Sequence, residues 1–224
     1  MLQLLKAQEE LTQNSPWLAA IGPELTNSLM SCAQLSRVKQ GANVYALGDD
    51  DGCIYGLSEG AVGIQVDDAD TGVAIGHVFG QGAWFGEASA ITGKPRLIGA
   101  HALVECTLLR VSKSNLTRLE ATHSQIWRAL GVLAVMNTAV GIQIARDLMV
   151  LDGKARCLST LSRIAVTFGQ ARIIPLTQKQ LAEACRLSRS SFAKILAELE
   201  SEGAVERKYG KLIVKDLSQP DAQQ

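Results

Sequence analysis

Two groups of residues in this chain have the types and spacing to act on a partner. The first is Phe85-Gly86-Glu87-Ala88, followed a little further on by Pro95-Arg96-Leu97. A glycine-bounded turn that opens a short helix presents backbone N–H groups, which favour an anion. Arg96 could close over that anion with its planar fork of donors, and Glu87 could accept from a sugar hydroxyl. The same spacing also fits a sheet corner in which Glu87 and Arg96 merely pair with each other. The second group is Ser188-Arg189-Ser190-Ser191-Phe192-Ala193-Lys194. Ser188 can cap a helix on which Phe192, Ile195, Leu196 and Leu199 form one apolar face. The other side is short and cationic, and such a helix fits the major groove of duplex DNA. Arg189 is the candidate for a bidentate contact to guanine, with Ser190 and Lys194 one turn along.

The elements around the second group agree with that reading. Thr177 precedes Gln180 at capping-box spacing, so a first helix should run to about Cys185. Gly203 stands where a left-handed helix end is wanted. Residues 206–211 then turn a hairpin between Ala204-Val205 and Leu212-Ile213-Val214, completing a winged helix-turn-helix. Thr177, Gln178, Lys208 and Lys211 are the expected phosphate contacts, and Ser188, Arg189, Ser190 and Lys194 form the recognition helix's DNA-facing set.

Upstream, Leu35 to Val111 reads as short strands separated by Gly- and Asp-rich turns, clearest at 48–52 and 66–72, which predicts a sandwich or jelly roll. Residues 1–31 should cap it, with a helix around Pro23 to Ser31. From His123 to Leu151 apolar residues recur in steps of three and four: Ile126, Leu130, Leu133, Val140, Ile144 and Leu148, with Asn137 among them. This predicts a dimer seam whose register Asn137 fixes. The polar Asn137, Thr138 and Gln143 and the modest length weigh against a membrane span. Asp152-Gly153-Lys154 should be the hinge to the next helix.

Zero net charge hides an asymmetry: residues 1–149 hold 10 Lys and Arg against 14 Asp and Glu, whereas 150–217 hold 12 against 7. An acidic first part and a basic second part suit a regulatory domain joined to a nucleic-acid-binding one. The 5 cysteines form no CxxC pair, which argues against a zinc or iron–sulfur framework and fits reduced thiols. No secretory signal is visible at the N-terminus, so a cytoplasmic location is expected. No GxSxG elbow, HExxH or Walker loop points to an enzyme. A nucleotide-binding module docking on another protein would leave Arg189, Lys194 and the wing lysines without a purpose.

In this order the motifs resemble the Crp/Fnr family of bacterial transcription regulators, from about Ser15 to Asp216. The resemblance rests on Gly41, Gly48-Asp49 and Gly60 in the strand region, on Phe85-Gly86-Glu87 with Pro95-Arg96, and on Leu187-Ser188-Arg189. It implies an α+β fold. An N-terminal cyclic-nucleotide-binding-like β-roll (jelly roll) would occupy 1–120, a long dimerisation helix 121–152, and the winged helix-turn-helix 153–224. It also implies a homodimer on a palindromic operator in double-stranded DNA, contact with RNA polymerase, and no membrane. Cyclic AMP or cyclic GMP becomes a possible effector, with no cofactor required. Gly86, Glu87, Ala88 and Arg96 would then hold the phosphate and ribose. The departures are Leu97, where cyclic-nucleotide binders carry a small or hydroxyl residue, and Gly141 and Ile142, which cannot bond a base by side chain. The phosphate half of the pocket is expected to be retained and the base half lost. An iron–sulfur sensor lacks its cysteine cluster, and His77, His101 and His123 read as ordinary residues rather than haem ligands.

Overall fold

The structure, a computed structural model, describes residues 1–68 and 72–215. Residues 69–71, in the expected 66–72 turn, and 216–224 lie outside the described residues. Three helices open the chain: α1 (Leu2–Asn14), α2 (Pro16–Ile21) and α3 (Pro23–Ser31). Only α3 was expected. Ser15 ends the first and starts the second, its N–H donating to the Leu11 carbonyl and its hydroxyl accepting from Leu18 N. Pro16 and Pro23 stand at first-turn positions, where no helical partner for an N–H is lost.

The roll is built from β1 (Gln34–Val38), β2 (Asn43–Tyr45), β3 (Ile54–Glu59), β4 (Val62–Asp68), β5 (Gly72–Phe79), β6 (Trp84–Phe85), β7 (Gly99–Ala102) and β8 (Cys106–Val111). One sheet runs β1-β8-β3-β6 and the other β2-β7-β4-β5. Because successive strand residues face opposite sides, Tyr55 and Leu57 enter the roll's core with Ile64 and Phe85. Ile54, Leu109 and Val111 instead belong to the core beneath the helices. Trp84 lies flat over Gly56, where a Cβ would come within 2.5 Å of the indole. Between β6 and β7 runs the short α4 (Glu87–Thr92), and α5 (Lys113–Glu120) follows the roll.

The long helix is α6 (Ile126–Met149), 24 residues or about 36 Å at 1.5 Å per residue. It is long and apolar enough to cross a membrane by length and composition alone. One face is instead committed to its own chain. Ile126, Leu130 and Leu133 join Trp17 and Leu29 in one buried cluster, and Trp17 Nε1 donates to the Ala129 carbonyl at 2.8 Å. These are the first three residues of the seam read from the sequence, so that reading has the wrong phase. The outward stripe is Val132, Val135, Ala139, Ile142 and Met149, with Val135, Ile142 and Met149 70%, 58% and 78% exposed. The reason is compositional: α6 is apolar nearly all round, so spacing alone did not choose the face.

The last unit comprises α7 (Gly153–Val166), β9 (Ile173–Ile174), α8 (Gln178–Ala184), α9 (Arg189–Ser201), β10 (Val205–Lys208) and β11 (Lys211–Val214). The Thr177–Gln180 capping box forms, Ser188 caps α9, and Gly203 has φ 74°. Phe192, Leu196 and Leu199 are buried. The unit is docked on the roll. Leu161, Ile164 and Leu181 share a buried core with Ala61, Val78 and Leu103, and Gln180 Nε2 donates to the Leu103 carbonyl at 2.9 Å.

Gly80, after β5, sets how closely α7 approaches: a Cβ there would lie 2.1 Å from the Thr167 carbonyl oxygen. Gly80→Ala should therefore destabilise the protein by about 1–3 kcal/mol through overpacking. A urea midpoint equal to that of the wild type would show that the contact yields freely.

Candidate functional site

Between the roll and α6 lies a cavity of about 300 Å³. Its floor is aromatic. Phe79 and Phe85 stack with centroids 5.3 Å apart and rings 5° from parallel, and His77 meets Phe79 edge-on. Ile64, Val140 and Ile144 add aliphatic walls. The sequence-predicted Gly86, Glu87, Ala88, Arg96, Leu97 and Gly141 all line it. Ile142 does not; its side chain is on the outward stripe of α6.

Arg96 is engaged rather than waiting for an anion. Its Nε and Nη2 donate to Asp51 Oδ1 at 3.1 and 2.5 Å, Nη2 also donates to the Cys53 carbonyl, and Nη1 donates to the Gly86 carbonyl. The guanidinium carbon sits 4.1 Å from the centroid of Tyr45. Gly86 is required twice over, by φ 96° and because a Cβ would meet Arg96 Nη1 at 2.8 Å. Asp51 also accepts from the Tyr55 hydroxyl at 2.7 Å. Partial burial opposes its ionisation, but Tyr55, Arg96 and the Cys53 N–H outweigh that and hold its carboxyl below the usual range.

Glu87 does not pair with Arg96, whose carboxylate partner is Asp51. It accepts from Asn137 Nδ2 at 3.1 Å, and the same amide donates to the Trp84 carbonyl at 3.2 Å. Burial pushes the Glu87 carboxyl up, against the bond from Asn137 and the N–H groups of Glu87 and Gly86. Asn137 thus ties α6 to the roll instead of setting a seam. Asp51 was missed: the Asp-rich run at 48–52 read only as a turn.

A polar relay leaves the cavity toward the last unit. His77 Nδ1 lies 2.7 Å from Arg163 Nη1 on α7, and Arg163 Nε is 2.6 Å from Asp147 Oδ2 near the end of α6. Ser159 donates to the other Asp147 oxygen at 2.5 Å. Burial first, then the neighbouring guanidinium, pushes His77 down to about 3, so its ring is neutral and Nδ1 accepts.

The second predicted set is exposed throughout and falls in two groups. Ser188, Arg189, Ser190 and Lys194 all stand exposed at the start of α9. Thr177 and Gln178 share a groove of about 220 Å³ with Lys208 and Lys211 of the wing. Lys208 lies 3.3 Å from Glu206, an exposed pair of small energetic weight. The wing turns at Tyr209-Gly210, with Gly210 at φ 67°.

Residues 35–123 match the cyclic nucleotide-binding domain, and residues 155–219 match the Crp-like helix-turn-helix domain. A search of the curated proteins finds no match. Among solved structures, the chain is similar to the c-di-GMP responsive global regulator CLP of Xanthomonas campestris. That likeness has 21% identity and a TM-score of 0.64, covering 85% of this chain and 97% of that one. FixK2 of Bradyrhizobium japonicum matches at 18% identity and a TM-score of 0.68, covering 83% and 94%. A CRP-family transcriptional regulator of Thermus thermophilus matches at 20% and 0.64, covering 82% and 93%. At such identities these likenesses speak for the fold.

The Asp51–Arg96 ion pair has a pH signature. The Asp51 carboxyl is held below 3.8, so its contribution to stability is present in full above that value and lost as pH falls through the lower folded value. Glu87, raised above 4.5, acts oppositely: its contribution is present below 4.5 and lost as pH rises through the folded value. The advantage of wild type over Asp51→Asn should therefore begin to shrink as pH falls below about 3.8 and vanish once it passes the lower folded value. A stability difference constant down to the acid transition would contradict the ionised pairing.

Proposed function

The chain belongs to the Crp/Fnr family of non-enzymatic DNA-binding transcription regulators, and from that premise we propose a cytoplasmic homodimer whose grip on DNA is set by a small effector in the roll. The observation that carries the reading is the exposed cationic start of α9, flanked by the α8 N-terminus and the wing. Arg189 reads a base edge in the major groove, Ser190 and Lys194 extend that contact, and Ser188 caps the helix that presents them. Thr177, Gln178, Lys208 and Lys211 hold phosphates, which fix register without reading sequence.

The outward stripe of α6 supports the dimer. Val135, Ile142 and Met149 recur at heptad spacing, with Val132 and Ala139 three residues ahead of the first two, the pattern two parallel helices bury against each other. A second copy thus covers the apolar face that would otherwise have to meet water or lipid. Pairing brings two recognition helices to successive major grooves of a palindromic operator, roughly 34 Å apart. RNA polymerase is the partner such a bound dimer would recruit or block.

The cavity supplies the control point. Its wall includes His77, and the Arg163–Asp147 pair links that residue to both α6 and α7. A ligand that prefers one packing of this junction biases the DNA-binding unit by its difference in affinity for the two packings.

Arg189→Ala should cost about 1–3 kcal/mol at the cognate site and relax one base preference. If a binding-site selection shows equal weakening on every sequence, Arg189 is a phosphate contact instead. Val135→Arg should place a charge in the seam, giving a monomer by sedimentation and weak, non-specific DNA binding. A dimer that persists would move the interface off α6.

A further inference from the structure

Resting on the reading that the cavity between the roll and α6 holds an effector, we propose that this ligand is a neutral, apolar small molecule and that Asp51 is the residue that keeps a phosphate anion off Arg96. The ligand class the domain family implies, a cyclic nucleotide, does not fit the residues present. A cyclic phosphate needs a cation with donors to spare. Here the guanidinium is 3% exposed, carries its own carboxylate, donates to two backbone carbonyls and has one face on Tyr45.

A phosphate entering this corner must expel Asp51, whose side chain is 30% exposed, or share Arg96 with it. Expulsion strips the carboxylate of its cation and of the Tyr55 hydroxyl. Sharing brings two anions against one cation in a partly desolvated place, where like charges repel strongly. Glu87 places a carboxyl on the cavity wall itself, accepting from Asn137, so the group expected to take a ribose hydroxyl is engaged as well.

What remains available is apolar. Ile64, Phe79, Phe85, Val140 and Ile144 line the cavity, and Leu97 beside them is 79% exposed. Cavities near ~300 Å³ with such walls and few polar groups are small-molecule sites. The departure of Leu97 from a small or hydroxyl residue, and of Gly141 from a base-bonding one, falls into place: both positions serve an occupant without phosphate or base edges to satisfy.

The test uses the full-length protein and N-phenyl-1-naphthylamine, a neutral apolar fluorophore, beside calorimetry with cyclic AMP and cyclic GMP. The fluorophore should bind wild type saturably, and Val140→Trp, or Ile144→Trp if the first does not fold, should weaken it by about tenfold or more. Wild type should give no heat with either nucleotide, whereas Asp51→Asn, checked for folding by circular dichroism, should gain nucleotide affinity by about tenfold or more. Three results would each overturn the proposal: nucleotide binding by wild type that Arg96→Gln abolishes, fluorophore binding that both filling variants leave unchanged, or a folded Asp51→Asn with no gain. If Asp51→Asn does not fold, the wild-type nucleotide titration and the filling variants decide. Duplex binding is read on the same samples, and its absence strikes the regulator assignment while leaving the ligand arms to judge the cavity.

Discussion

A helix that is apolar on nearly all sides has to be covered on nearly all sides, and α6 meets this demand twice in one length. Its inner face is fixed by two polar side chains that act as pins in an otherwise greasy contact. The Trp17 indole N–H holds the Ala129 carbonyl, and the Asn137 amide bridges Glu87 and the Trp84 carbonyl. Buried polar groups are costly when unpaired, so these bonds select one rotation of the helix about its axis where hydrophobic contact alone would tolerate several. Once that rotation is set, Val135, Ile142 and Met149 must face outward. Val140, Gly141 and Ile144 must at the same time close the cavity. The cavity wall and the outward stripe are thus two sides of one rod, so what displaces one side displaces the other.

At its far end the same rod enters a buried ionic junction. Asp147 sits in the last turn of α6, where the helix dipole disfavours a negative charge. Arg163 and Ser159 compensate it, and neutral His77 accepts from Arg163 Nη1 on the side of the roll. Breaking one partner out of such a cluster leaves a desolvated charge behind, so its members move together or not at all. Gly80 against the Thr167 carbonyl adds a steric stop close by. Close packing makes this junction a choice between discrete arrangements and not a graded spring. That property is what a ligand of modest differential affinity needs in order to shift a population.

Much of this was legible in the chain itself, and the reasons are local. The Thr177–Gln180 box, the Ser188 cap and Gly203 each act within a few residues, so α8, the turn and α9 follow from short-range chemistry. The roll followed from strand-length runs between glycine turns. What was not legible depended on a third body. The phase of α6 is decided by Trp17 and Asn137 reaching across to other elements. Helix α1 buries only Ala7 and Leu11, too thin an apolar stripe to stand out against its polar residues.

The floor of the cavity shows the same limit in sharper form, because there the residues of a binding cassette are present while their state is different. The backbone explains how. Gly48 N donates to the Arg96 carbonyl and Arg96 N donates to the Asp49 carbonyl, so the turn at 48–52 lies alongside the arginine's own chain. Gly48 and Gly52, at φ 86° and 56°, let the chain curl there without strain. That curl carries Asp51 under the guanidinium, where Tyr55 and the Cys53 N–H hold it ionised. An arginine in a glycine-rich cassette is therefore an anion site only if no nearer carboxylate has claimed it. Here the claimant stands on a turn whose own hydrogen bonds lock it in register with Arg96, so the fold itself supplies the cation with its counter-ion.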